Sequence, residues 1–285
     1  MPVEAFFLPL SWGQRFCIFH PAQSPSPRGL VLYIHPFAEE MNQSRRMAAL
    51  QSRALARAGY GVLQMDLLGC GDSSGDFADA RWQAWVNDVV QACAWLRWRG
   101  SIDGATRDSA PLWLWGLRAG NLLCIQAATR ITEPCHFLFW QPPASGRLLL
   151  QQFLRLRLAA DMLSGRASNV LQSLRDALNL GGAVEVAGYT LAAELARGLE
   201  SATLMPPAVD CGETRLLRWL EVSALEQPRL HPLPAEVLTA WQQAGYQLQR
   251  QVVSGAAFWQ SGDVKLVPAL LDATSALFAA PGSGA

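Results

Sequence analysis

The sequence predicts an α/β protein: a mostly parallel central sheet with helices on both faces and a helical cap insertion. Three observations carry this. Short, continuous apolar runs rich in β-branched and aromatic residues alternate with longer segments whose apolar residues recur at helical spacing, the pattern of parallel strands joined by right-handed crossovers. Of the 285 residues, 51% are hydrophobic and only 16% charged, ample for a large core. The alternation also stops after Pro143 and resumes beyond Pro207, which divides the chain into a core (1–143 and 208–278), a cap (144–207) and a disordered tail (279–285).

The elements run in this order. "VEAFFLPL" and "QRFCIFHPA" read as an antiparallel pair joined by a "SWG" turn. "GLVLYIHP" (Gly29 to Pro36) is a buried strand. "SRRMAALQSRALARAG" is an amphipathic helix, with Ser44 as cap and Gly59 as stop. "YGVLQMD" is a strand ending at Asp66, and the glycine-rich loop "LLGCGDSSGDF" comes after it. "RWQAWVNDVVQACAWLRWRG" is a second helix, "APLWLWG" a strand, "NLLCIQAATRI" a helix and "CHFLFWQP" a strand. The insertion is rich in Leu, Arg and Ala and reads as helical, with "AVEVAGY" its one strand-like stretch. "TRLLRWLEVS" (strand), "PAEVLTAWQQAG" (helix), "YQLQRQVVSG" (strand) and "DVKLVPALLDATSALF" (helix) close the core.

Composition excludes several function classes. Lys plus Arg equals Asp plus Glu at 23 each, so no basic surface points to nucleic acid. The N-terminus lacks a basic region followed by a long apolar run, and no apolar run is long enough to span a bilayer, which points to the cytoplasm with no transmembrane segment. Cys17, Cys70, Cys93, Cys124, Cys135 and Cys211 show no paired spacing; they read as reduced, buried thiols, and neither a metal site nor a cofactor is expected.

Three local patterns carry chemistry. In "YIHPFAEE" a strand ends where the backbone amide of Phe37 can face a reacting oxygen. "MDLLGCGDSSGDF" opens with Asp66, and Gly69, Gly71 and Gly75 give tight turns. In "WGLRAG" Gly116 and Gly120 frame a strand-to-helix turn, and the amide of Ala119 opens the helix. In this order and on these elements, the chain resembles the α/β-hydrolase fold over nearly its whole length. "PFAEEMNQSRRM", "DLLGCGDSSGDF", "WGLRAG" and "FWQSGDV" further resemble the exosortase A system-associated hydrolases, particularly the second type. That resemblance implies a bacterial setting of exopolysaccharide genes and PEP-CTERM protein sorting, and no particular substrate.

The resemblance also implies a nucleophile, an acid and a histidine. The nucleophile position holds Arg118, whose guanidinium stays protonated and has no lone pair to offer. Glu226 in "SALEQP" takes the acid position. No histidine comes after the last strand; Phe258 and Trp259 stand there, and His231 is the nearest substitute. Cys124, inside the elbow helix, and Ser73 and Ser74, in the structural loop, are weak alternatives as nucleophile.

Arg118 admits three readings. It is a solvated structural substitution, or it pairs with Glu39 or more readily Glu40 in a bidentate fork, or it joins the Ala119 amide and the helix N-terminus as an anion site. Arg45 and Arg46 are either a solvated face or part of a charge network with Glu39 and Glu40. Trp82, Trp85, Trp95, Trp98, Trp113, Trp115 and Trp140 read as core and helix flank; Trp259 is the exception to watch. "FLRLRLAADML" is an amphipathic, basic lid helix, with contact to a membrane surface as its rival reading. The function expected is a pseudoenzyme that binds a small anionic or sugar-like ligand, or a protein partner, in the exosortase and exopolysaccharide system. An atypical esterase or thioesterase of the same system is the alternative.

Overall fold

A computed structural model describes residues 2–102, 110–163, 169–208, 214–260 and 262–279. The chain opens as the antiparallel pair β1 (Glu4–Leu10) and β2 (Gly13–His20), turning at Ser11 and Trp12. Then come β3 (Gly29–Ile34), α1 (Glu39–Arg57), β4 (Tyr60–Met65), α2 (Trp82–Ile102), β5 (Leu112–Leu117), α3 (Ala119–Ala128) and β6 (Cys135–Trp140). An inserted segment holds α4 (Gly146–Leu163), α5 (Val170–Asn179), the antiparallel hairpin β7 (Ala183–Val186) and β8 (Tyr189–Ala192), and α6 (Ala193–Ser201). The chain closes with β9 (Arg215–Ser223), α7 (Ala235–Gln243), β10 (Tyr246–Ser254) and α8 (Pro268–Phe278). All strands but β7 and β8 form an 8-stranded sheet in the order β1-β2-β4-β3-β5-β6-β9-β10, antiparallel at β1–β2–β4 and parallel from β4 onward.

Alternation along the strands builds two cores. Leu112 and Leu114 of β5 face the layer that holds α2, α3 and much of the inserted segment. Trp113, Trp115 and Leu117 face the layer of α1 and α8. Both faces being covered is why β3 and β5 are apolar at every position and wholly buried. Trp82, Trp85, Trp113, Trp115 and Trp140 are core; Trp98 is exposed.

The insertion, expected to be helical apart from the strand-like "AVEVAGY", carries the β7–β8 hairpin at that stretch. Its turn is Ala187–Gly188, both at positive φ, the geometry that matches strand twist in a two-residue loop.

Two boundaries differ from expectation. Helix α1 starts five residues before Ser44, so Ser44 does not cap it; its Oγ donates to the carbonyls of Glu40 and Met41 inside the helix. The helix begins instead at Ala38, held at φ 51°, with Glu39 and Glu40 in the first turn, where the helix dipole favours negative charge. Helix α8 begins only at Pro268, whose ring fixes the first helical φ. Cys17, Cys70, Cys93, Cys124 and Cys135 are buried thiols. Cys211 and, beyond Ala279, the tail lie outside the described residues.

Candidate functional site

The site is built on two strained turns. Strand β5 passes into α3 through Arg118 at φ 54° and ψ −117°, a region that costs a non-glycine residue about 1–3 kcal/mol. The flanking glycines are what let the helix close over the strand. A Cβ at Gly116 would stand 2.4 Å from the Asn121 nitrogen, and one at Gly120 would stand 2.2 Å from the Ile34 oxygen. Trp140 at the end of β6 braces the turn, its carbonyl accepting from Arg118 N at 3.1 Å and Asn121 Nδ2 at 2.9 Å. One strand over, β3 enters α1 through Ala38 at φ 51° and ψ −128°, nearly the same backbone. Phe37 and Ala119 thus sit side by side at the carboxyl ends of neighbouring strands, each next to a helix start whose first amides have no intrahelical partner.

Between these turns and α4 lies a cavity of about 490 Å³. Phe37, Leu149, Phe153 and Leu156 line it on the apolar side; Glu39, Glu40, Arg118, Gln152 and Trp259 supply its polar features. Arg118 Nε and Nη2 both reach Glu40 Oε1, each at 3.2 Å. The side chains are 13% and 17% exposed. The pair is therefore partly desolvated, and its attraction is set against the cost of taking both groups out of water. It is not the bidentate fork expected, because Nη2 is shared with Gln152 Oε1 of α4 at 2.8 Å. The guanidinium also lies 5.6 Å from the centre of the Trp259 ring. Glu39 and Glu40 each keep a buried Oε2 with no hydrogen-bond partner among the described residues. Burial raises the Glu40 carboxyl to about 7; Arg118 pulls it down and Glu39 pushes it up. Burial likewise raises Glu39.

The remaining candidate residues serve other contacts. Arg45 forks onto Asp66, with Nη1 to Oδ1 at 3.1 Å and Nη2 to Oδ2 at 2.9 Å, rather than onto Glu39 or Glu40; Arg46 is exposed. Ser73 and Ser74 receive hydrogen bonds from the β2 amides of Phe16 and Gln14, each at 2.9 Å, a structural role. Cys124 is fully buried, and burial pushes its thiol far up. Glu226 is exposed in the loop after β9. The buried acid at that edge is Glu221, within β9 itself. It accepts from Trp219 Nε1 (2.8 Å), Arg250 Nη2 (3.0 Å) and the His231 backbone (2.7 Å), and its Oε2 lies 2.6 Å from His231 Nδ1. Its only sequence signal is a charge inside the apolar run "RWLEVS". Phe258 is buried against Trp140 at 6.1 Å between ring centres.

Comparison with known proteins decides the architecture. A family model described as X-Pro dipeptidyl-peptidase (S15 family) matches residues 15–115, a span that ends just before the elbow. No curated protein is matched by the sequence. Among solved structures, Est1E from Butyrivibrio proteoclasticus with ferulic acid bound superposes with a TM-score of 0.61 at 15% identity, covering 96% of both chains. Monoglyceride lipase from Saccharomyces cerevisiae gives 0.59 at 13% identity, covering 97% of this chain and 94% of that one. Mouse alpha/beta hydrolase domain-containing protein 10 gives 0.56 at 15%, covering 96% and 98%. The chain has the α/β-hydrolase fold. Arg118 lies on the turn between β5 and α3, and Phe37 and Ala119 lie at the carboxyl ends of β3 and β5. Among the described residues, no histidine lines the elbow cavity. His20 contacts Gln64, His35 accepts from the Leu67 amide, His136 accepts from the Leu216 amide and His231 is held by Glu221, so each of the four already has a structural contact. His136, half-buried and flanked by Arg218 and Arg215, is lowered to about 4.

Proposed function

We propose that this α/β-hydrolase-fold protein is a pseudoenzyme that binds a ligand or partner in the exosortase and exopolysaccharide system. One observation carries the loss of catalysis: the elbow side chain is a guanidinium tied to Glu40 and Gln152, with an indole over it where the base would stand. Arginine cannot attack a carbonyl, and tryptophan cannot take a proton. The frame nevertheless keeps its strain and its glycines, so the pocket is retained for binding. The setting in exopolysaccharide and PEP-CTERM biology rests on the resemblance of "PFAEEMNQSRRM", "DLLGCGDSSGDF", "WGLRAG" and "FWQSGDV". Two carboxylates against one guanidinium make the cavity neutral to acidic, which favours a sugar-like ligand over a small anion. The orphaned Oε2 atoms of Glu39 and Glu40 suit hydroxyl donors. The test is labelling with a fluorophosphonate probe together with turnover of p-nitrophenyl esters. Neither is expected, and labelling at any serine or cysteine would sink the proposal.

A second reading draws on Glu40 alone. A carboxyl near 7 beside two helix-start amides has the basicity of a general base for water, which would make the protein an atypical esterase or thioesterase. That reading requires ester turnover that disappears in Glu40→Gln. Absence of turnover in the wild type rejects it.

A further inference from the structure

A second large cavity, about 590 Å³, lies away from the elbow, between the β1–β2 turn and helix α2. Trp12 stands at its mouth with 68% of its surface exposed, an unusual position for so large an aromatic side chain. Its turn is held in place from below. Arg15, 1% exposed, donates from Nη1 to the Trp12 carbonyl at 3.0 Å and from Nε to Asp88 Oδ2 of α2 at 2.7 Å. A buried ion pair is costly, and this one serves neither the elbow nor its cavity. What it does fix is the backbone of the Trp12 turn relative to α2.

Opposite Trp12, helix α2 carries Gln83, Asn87 and Gln91, four residues apart and so one above the other at steps of about 6 Å. Arg130 donates Nη1 to Asn87 Oδ1 at 2.6 Å and Nη2 to Gln83 Oε1. A guanidinium has donors only, so both carboxamides must give it their oxygens and keep their NH2 groups for something else. The cations and carboxylates lining the groove are already matched, Arg15 with Asp88 and Arg81 with Glu194, each at 2.7 Å. The groove therefore presents an exposed aromatic face on an anchored turn, a row of carboxamides one helical turn apart, and matched charges among its lining residues, with Arg130 beside it engaged by the Gln83 and Asn87 oxygens.

We propose that this groove binds a neutral, polyhydroxylated chain, an oligosaccharide, with its sugar rings stacking on Trp12 and its hydroxyls bonding the Gln83, Asn87 and Gln91 carboxamides. A phosphate or sulfate finds no unpaired cation among the lining residues, and an extended peptide finds no series of apolar side pockets. The site is separate from the elbow cavity and does not rest on its reading. The test is calorimetric titration of the full chain with cellohexaose, laminarihexaose and a chitin-derived hexamer, alongside hexaproline. At least one of the sugars is expected to bind saturably. Trp12→Ala and Gln91→Ala should each weaken it roughly tenfold or more, with melting temperature unchanged, since both side chains are exposed. Arg118→Ala should leave it intact. Binding by none of the three sugars, undiminished binding in both groove variants, or a loss in Arg118→Ala equal to theirs would overturn the proposal. So would hexaproline binding in the absence of sugar binding, which would make the groove a peptide site.

Discussion

The protonation of Glu40 is strongly shifted by its surroundings. Its carboxyl stands at about 7 in the fold, against 4.5 ordinarily, because burial outweighs the attraction of Arg118. A raised carboxyl means the folded state holds the proton more tightly than the unfolded chain does. Ionising Glu40 therefore costs stability, and the cost grows as pH rises from the ordinary value through the folded one. Melting temperature should decline across that window in the wild type. Glu40→Gln should flatten the decline, and Arg118→Met, which removes the attraction, should move it to higher pH. A wild-type melting profile indistinguishable from that of Glu40→Gln would contradict this account. The same residue scale decides what repair of the elbow can achieve. Arg118→Ser puts a hydroxyl on the strained turn, but among the described residues the cavity has no histidine to act as its base. Ester turnover in that variant should remain near background, since losing the base costs about as much as losing the whole triad.

At the scale of elements, the two turns that open α1 and α3 share one backbone but not one sequence. The α3 turn is legible because Gly116 and Gly120 bracket it at a spacing no ordinary loop needs. The α1 turn is not, since Ala38 adopts positive φ with no glycine to announce it, and Ser44 offers a plausible cap several residues too late. The geometry gives two opposed predictions. Ala38→Gly relieves strain and should stabilise the fold by about 1 kcal/mol in denaturant melts, after the entropy glycine adds to the unfolded chain. Gly120→Ala pushes a Cβ to 2.2 Å from the Ile34 oxygen and should cost at least ~1–3 kcal/mol. Strands and most helices can be read from periodicity because burial on two faces writes itself into local pattern. The contact of Glu221 with His231 and Arg250 cannot, since it joins a strand interior, a loop and a neighbouring strand that only the fold brings together. Trp259 is visible only through the hydrolase resemblance, which implies a histidine beyond the last strand where the sequence has Phe258 and Trp259.

For the whole molecule, the question is what ties the amino-terminal hairpin, at the edge of the sheet, to the rest. The Arg15–Asp88 pair spans β2 and α2, and Asp88 Oδ2 also accepts from the Leu68 amide at 2.9 Å at the start of the glycine-rich loop. Three distant parts of the chain thus meet on one carboxylate. Burial outweighs Arg15 even here, leaving the Asp88 carboxyl above its ordinary value, so the attraction of Arg15 does not fully offset the desolvation of that carboxylate. Removing one partner is then far worse than removing both. Asp88→Asn strands a buried guanidinium and should cost about 3–5 kcal/mol, read from urea denaturation. Arg15→Met with Asp88→Leu should recover most of that loss, short of what the unpaired Leu68 amide costs. The double variant separates stability from placement. It should fold almost as well as the wild type, yet its Trp12 turn has lost the guanidinium that held the carbonyl, so oligosaccharide binding should stay weak. Full recovery of both would mean the ion pair is a packing accident rather than the clamp that anchors the Trp12 turn.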